Sequence, residues 1–364
     1  MNWFEKTFEV SRASHKTISS MEGIRGLAVL LVFLVHYVTL MGPWLVEGSV
    51  TFRAAEHIRG LGNVGVDLFF VLSGYLIYGM LIEKSRPIVP YLRRRAARIY
   101  PTFTVVFCIY LVLSFVMPSQ SRIPEGALDA AVYIAQNYFL LPGIFDITPI
   151  ITVAWSLSYE FFYYLAVPAV IALLFLRKWP RRVRVLFFLV GSALLFWHFA
   201  VNGGLMRLLM FVPGILMYEV IAGKMIRKIP PVGILALVGA LVAIAFLNIR
   251  EAPSWQKYSM LYVLFFVFCL ESFAGDGFTT RVFSWAPIRW LGNMSYSYYL
   301  IHGLGLKAIF LVMGKLLPGQ QNDALIFWLC LLPFFLVTLI PSAALFIFVE
   351  KPRSLPANGR QGPG

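Results

Sequence analysis

The sequence predicts an all-α protein. It is read as a polytopic membrane bundle of about ten transmembrane helices plus one short re-entrant or interfacial helix, with both termini on the cytoplasmic side. Three observations carry this. Of 364 residues, 59% are hydrophobic and only 13% charged, with a mean hydropathy of +0.77, whereas soluble domains carry about 25% charge. The apolar residues fall in runs of the roughly 20 residues that a bilayer core about 30 Å thick demands of a helix. The basic residues gather in short clusters between alternate runs.

Taken in order, spans are expected at 23–43, 62–82, 99–117, 151–176, 185–200, 205–223, 231–248, 257–274, 294–316 and 324–349. The stretch 126–141 is too short and too polar to span, and reads as interfacial or re-entrant. Residues 1–20 are polar and too long for a secretory n-region. No small-x-small cleavage site follows the first apolar run, so that run reads as a retained helix. The chain divides into a cytoplasmic segment 1–20, a membrane domain 21–353 and a polar cytoplasmic tail 354–364.

Orientation follows from Lys and Arg. The segments assigned to the inside hold Lys6, Arg12 and Lys16, then Arg93 to Arg95 with Arg98, then Arg177, Lys178, Arg181, Arg182 and Arg184, with further basic residues after the later spans. The outside loops hold only Arg53, Arg59, Arg122, Arg250 and Lys257. The net charge of +14 is therefore topogenic, and nucleic-acid binding is not expected. Cys108, Cys269 and Cys330 lie inside apolar runs with neither metal-ligand nor disulfide spacing, so no catalytic metal is expected.

Ionisable residues at membrane depth cost free energy unless they face the bundle interior, and they mark function. His36 follows Arg25 by eleven residues, about 16 Å along a helix. Asp67, Glu160 and Arg207 fall at similar depth to His36 in the outer half. A histidine with a carboxylate partner is a candidate general base. Asp67 is expected to supply that carboxylate, because the Gly-rich stretch before it allows close approach to the first span. Glu160 is expected on the acceptor side with Arg207, and Trp155 and Ser156 of the same motif are further acceptor contacts. Plainer roles compete: Asp67 as a helix cap, Glu160 as a structural partner of Arg207, His36 as an interhelical hydrogen bond. Toward the inner face, Arg95 and Arg98 share a helix side at i and i+3, a spacing suited to phosphate, with ordinary positive-inside charge as the plainer role. Arg25, Tyr296 and His302 lie toward that same face as ligand contacts.

Arg25-x10-His36, Gly65-Val-Asp-Leu-Phe-Phe-Val-Leu-Ser-Gly74, Arg95-Ala-Ala-Arg98-Ile-Tyr-Pro101, Trp155-Ser-Leu-Ser-Tyr-Glu160, Tyr296-Ser-Tyr-Tyr-Leu-Ile-His302 and a terminal Phe348-Val-Glu-Lys-Pro352 stand in this order. Together they resemble the acyltransferase 3 family of integral membrane acyltransferases, over about residues 18–353. The resemblance implies transfer of an acyl group, usually acetyl, from cytoplasmic acyl-CoA to a sugar hydroxyl across a bacterial cytoplasmic (inner) membrane. Lipid-linked or polymeric glycans are the implied acceptors. It also implies that His36 and Arg25 are essential, that Asp67 and Glu160 belong to the motif set, and that Arg95 and Arg98 contact the CoA. Some members carry a fused C-terminal hydrolase-like domain. This sequence stops at Gly364 after a short polar tail, so if a second extracytoplasmic step exists, another protein is expected to perform it.

Two chemistries stay open for His36: general base in a direct transfer, or nucleophile forming an acyl-imidazole. A proton-coupled glycan exporter is the rival function, since it too uses buried His, Asp, Glu and Arg. No inverted repeat is evident in the sequence, and such an exporter leaves Arg95 and Arg98 without work.

Overall fold

The structure, a computed structural model, describes residues 3–10, 19–226, 228–246, 253–317, 319 and 323–354. Arg12, His15, Lys16, Arg227, Arg250 and the tail from residue 355 lie outside the described residues. The described chain is helical, in the order α1 Trp3–Phe8, α2 Ser19–Met41, α3 Val50–Asn63, α4 Gly65–Ile82, α5 Ile88–Val116, α6 Ala127–Tyr138, α7 Ala154–Leu173, α8 Arg181–Asn202, α9 Val212–Ala222, α10 Gly233–Phe246, α11 Ser254–Ala274, α12 Phe278–Phe283, α13 Ala286–Asn293, α14 Ser295–Leu316, α15 Asp323–Leu345 and α16 Lys351–Ser354.

Eight helical stretches among the described residues are long and apolar enough to cross a membrane. Two of the ten expected spans do not reach that length within the described residues. The stretch 205–223 opens, after the positive-φ pair Gly203 and Gly204, as a 3-10 turn over Met206–Phe211 and becomes α-helical only in α9. The stretch 231–248 is described as α10, fourteen residues long. Helix α3 was not anticipated: Arg53, Glu56, His57 and Arg59 lower its mean hydropathy. Its start is fixed by Ser49, whose hydroxyl accepts from the Phe52 amide at 3.0 Å. The expected short helix within 126–141 is α6.

Glycines bring the helix backbones together, as small residues do at membrane helix crossings. A Cβ at Gly74 of α4 would meet the Phe211 carbonyl, and one at Gly214 of α9 the Val71 carbonyl. The first turns of α2 are occupied by α13 in the same way, with Gly292 against the Glu22 carbonyl and Gly26 against that of Ile288. This contact sets the register of the site. Because α13 covers the start of α2, α14 begins alongside the middle of α2 rather than its first turn.

Below the bundle, α1 docks through Phe8, stacked on Phe346 with ring centroids 5.9 Å apart, and Glu9 accepts from Arg289 Nη2 at 2.6 Å. A buried ionic cluster joins α4, α8 and α9. Arg184 donates to Glu219 through Nε at 2.5 Å and Nη2 at 3.0 Å, Arg181 pairs with Glu219 at 3.2 Å, and the Tyr78 hydroxyl donates to the same carboxylate.

Candidate active site

Three groups of polar side chains are assembled inside the bundle. The first surrounds a cavity of about 260 Å³ lined by Arg25 from α2, Ser73 from α4, Arg95 and Arg98 from α5, Glu160 from α7 and Tyr296 from α14, among others. Arginine is in surplus here. Glu160 Oε1 accepts from the Tyr164 hydroxyl at 2.5 Å and from Ser73 at 3.5 Å. Arg98 Nη1 lies 3.0 Å from Glu350 Oε1, while Glu350 Oε2 accepts from the Ser297 amide and hydroxyl at 3.1 and 2.6 Å. Among the described residues Arg95 has no carboxylate partner: its Nη2 meets Met80 Sδ at 3.1 Å, and its guanidinium stands 5.8 and 5.7 Å from the centroids of the Tyr91 and Tyr164 rings. Its buried Nε donates to nothing among the described residues.

No hydrogen bond or ion pair engages Arg25 among the described residues. Buried guanidinium donors without acceptors are costly, so the cavity fits an anionic or strongly accepting ligand. Its volume is near the lower end of small-molecule sites, roughly 300–1,000 Å³, and holds part of a molecule the size of acyl-CoA. The residues that would hold such a donor are Arg25, Arg95, Arg98 and Tyr296.

The second group is a histidine pair. His302 of α14 is fully buried and its Nε2 lies 3.4 Å from Nδ1 of the half-buried His36 of α2, with the rings nearly perpendicular and 4.9 Å apart. His36 Nδ1 is 2.8 Å from the Val32 carbonyl. The expectation placed His302 toward the inner face with the CoA contacts, apart from His36. Its partner is instead His36, and it does not line the cavity. The register set by α13 accounts for this: α14 starts beside the middle of α2, so His302, early in α14, stands level with His36, late in α2. One helical turn connects the two groups. Tyr299 reaches the cavity, where its hydroxyl is 2.6 Å from Ser156 Oγ, while His302 Nδ1 sits 3.0 Å from the Tyr299 carbonyl.

The third group is an ion pair. Arg207 donates to Asp67 through Nε at 3.0 Å and Nη2 at 3.2 Å, and to the Asn63 carbonyl at 2.5 Å. Its guanidinium carbon is 5.2 Å from the centroid of the Trp155 ring. This exchanges the expected partners. Asp67 belongs with Arg207 and not with His36, whose contacts are Val32 and His302. Glu160, expected with Arg207 on the acceptor side, lies in the arginine cavity with Ser156. Trp155 stays with Arg207. Sequence reasoning missed Ser73 and Tyr164 as Glu160 partners. The signal for Tyr164 was its position four residues after Glu160, on the same helix face.

A polytopic helical bundle holding an arginine-lined cavity, one turn of helix from a histidine pair, defines the class as a helical membrane protein with a polar cavity among its helices. The acyltransferase domain of the acyltransferase 3 group matches residues 18–347, and the chain belongs to that family. It is 26% identical to the peptidoglycan O-acetyltransferase OatA of Listeria monocytogenes, over 80% of this chain and 50% of the relative. It is 23% identical to the O-acetyltransferase OatA of Staphylococcus aureus, over 79% and 50%. The acyltransferase MdmB of Streptomyces mycarofaciens is 33% identical over 42% of this chain and 38% of its own. The chain spans about half the length of the OatA relatives it matches. No solved structure matches it.

Proposed function

We propose that this protein is a membrane O-acyltransferase that moves an acyl group, acetyl in the first instance, from cytoplasmic acyl-CoA to a hydroxyl of an extracytoplasmic glycan or lipid-linked sugar, in a bacterial cytoplasmic membrane. The observation that carries the reading is the cavity in which Arg25 and Arg95 converge without a carboxylate partner among the described residues. The O-acetyl acceptor class is supported by the relatives, one named a peptidoglycan O-acetyltransferase and one an O-acetyltransferase.

Arg25, Arg95 and Arg98 bind the phosphate and carbonyl oxygens of the donor, as guanidinium groups do. Eleven residues of α2, about 16 Å, separate Arg25 from His36. A pantetheine arm threading inward brings the thioester toward the histidine. His36 Nε2 removes the acceptor hydroxyl proton as that oxygen bonds to the acyl carbon, and returns the proton to the CoA sulfur as the carbon–sulfur bond breaks. Direct transfer needs both substrates bound together, so its kinetics are those of a ternary complex. An acyl-imidazole on His36 would give ping-pong kinetics instead.

The test is purified protein in proteoliposomes with acetyl-labelled acetyl-CoA on the inner side. Label recovered on an added glycan, or released as acetate, supports the enzyme. Glycan flux with no consumption of acetyl-CoA supports a transporter and overturns the reading.

A further inference from the structure

The geometry points to His302 as a positioning residue that fixes the tautomer of His36, an assignment that rests on His36 being the base proposed above. The argument starts from the carbonyls, which only accept hydrogen bonds. His302 Nδ1 lies 2.9 Å from the Tyr298 carbonyl and 3.0 Å from that of Tyr299, so the His302 proton is on Nδ1. Its Nε2 therefore carries a lone pair. That lone pair faces His36 Nδ1 at 3.4 Å, and the same His36 nitrogen is 2.8 Å from the Val32 carbonyl. Two acceptors thus converge on one nitrogen. His36 carries its proton on Nδ1, shared between them, and presents an unprotonated Nε2.

The His302 ring is held for this task. Tyr298 stacks on it at 5.0 Å with 9° between planes, and the Tyr298 hydroxyl is 3.0 Å from Thr338 Oγ1 of α15. His302 is fully buried, so no water competes for its lone pair from the ring edge. When His36 Nε2 takes the acceptor proton, the ring becomes a cation whose Nδ1–H is already directed at two acceptors. No atom changes place on His302 during the step, and its proton stays on Nδ1.

A partner that fixes the base's tautomer acts on the chemical step and not on donor binding. His302→Phe, which keeps an aromatic ring against Tyr298, is expected to lower kcat by roughly 10- to 100-fold with the KM for acetyl-CoA unchanged. The effect is smaller than the ~10⁴ of the charged carboxylate in a serine-protease triad, because His302 is neutral. His302→Gln places an amide oxygen where an acceptor is needed, and is expected to recover most of the lost kcat.

The experiment measures kcat and KM for acetyl-CoA in the parent, His36→Ala, His302→Phe and His302→Gln, each as purified full chain in proteoliposomes. Loss of kcat in His302→Phe with recovery in His302→Gln supports the role. His302→Phe at the parental kcat, with His36→Ala inactive, overturns it and leaves the proposed function standing. A raised KM with kcat intact marks His302 as a donor contact and overturns it too. An active His36→Ala overturns the proposed function itself, and this assignment with it. Should His302→Phe not fold, the glutamine variant decides: a kcat as low as that of His36→Ala contradicts the acceptor role.

Discussion

Asp67 and Arg207 form a two-point ion pair, Nε to Oδ1 at 3.0 Å and Nη2 to Oδ2 at 3.2 Å, with the carboxylate fully buried. The pair clamps the first turn of α4 to the 3-10 turn before α9. Removing one partner of a buried pair costs about 3–5 kcal/mol, because the other charge is left uncompensated. Arg207→Leu is therefore expected to destabilise the protein by about that amount, read as a fall in unfolding temperature in detergent. The double variant Asp67→Leu with Arg207→Leu should lose less than the sum of the two single losses. Additive losses contradict the pairing.

The same pair shows what the sequence made legible. Polar residues inside apolar runs gave Arg25, Asp67, Glu160 and Arg207 as interior groups, the i, i+3 spacing before the third span gave Arg95 and Arg98 as inner-face contacts, and Arg25, Arg95, Arg98 and Tyr296 do converge on one cavity. Counting residues from a span end gives depth but not the face of the helix, so depth alone could not choose between Asp67 and Glu160 as the partner of Arg207. Depth also failed for His36 and His302, because α13 shifts the origin of one helix relative to the other. The longer spans were legible from hydropathy. Helix α3 was not, since its charged residues hide a helix fixed by the Ser49 cap.

The cavity predicts a graded effect on donor binding. Arg25→Ala and Arg95→Ala each remove a charge-assisted contact worth about 1.5–3 kcal/mol, so the Kd for acetyl-CoA should rise roughly 10- to 150-fold. Arg94 is exposed and lies outside the cavity lining, so Arg94→Ala should leave the Kd unchanged. Calorimetry on the purified variants reads this directly. A parental Kd in all three would mean that Arg95 serves only membrane orientation and Arg25 no donor contact, while an equal rise in all three, Arg94 included, would contradict the assignment of binding to the cavity-lining arginines.

Glu219 makes a separate prediction about stability. It is fully buried and accepts from Arg184, Arg181 and Tyr78. Glu219→Ala leaves the nearly buried Arg184 without its carboxylate and should cost about 3–5 kcal/mol. The cluster lies outside the cavity lining. Acetyl-CoA binding per folded molecule should therefore be unchanged, as measured by calorimetry on the fraction that elutes as folded protein. A raised Kd in that fraction would place Glu219 in the donor site.

The central claim divides the labour between a donor cavity and a base about 16 Å further along α2. The rate of labelled acetyl transfer from acetyl-CoA by His36→Ala, set against the parent in the same proteoliposomes, tests it most directly. The account predicts a fall of about 10²–10⁴-fold, the usual worth of a general base, with acetyl-CoA still bound at the parental Kd. Transfer at a rate comparable to the parent would contradict it.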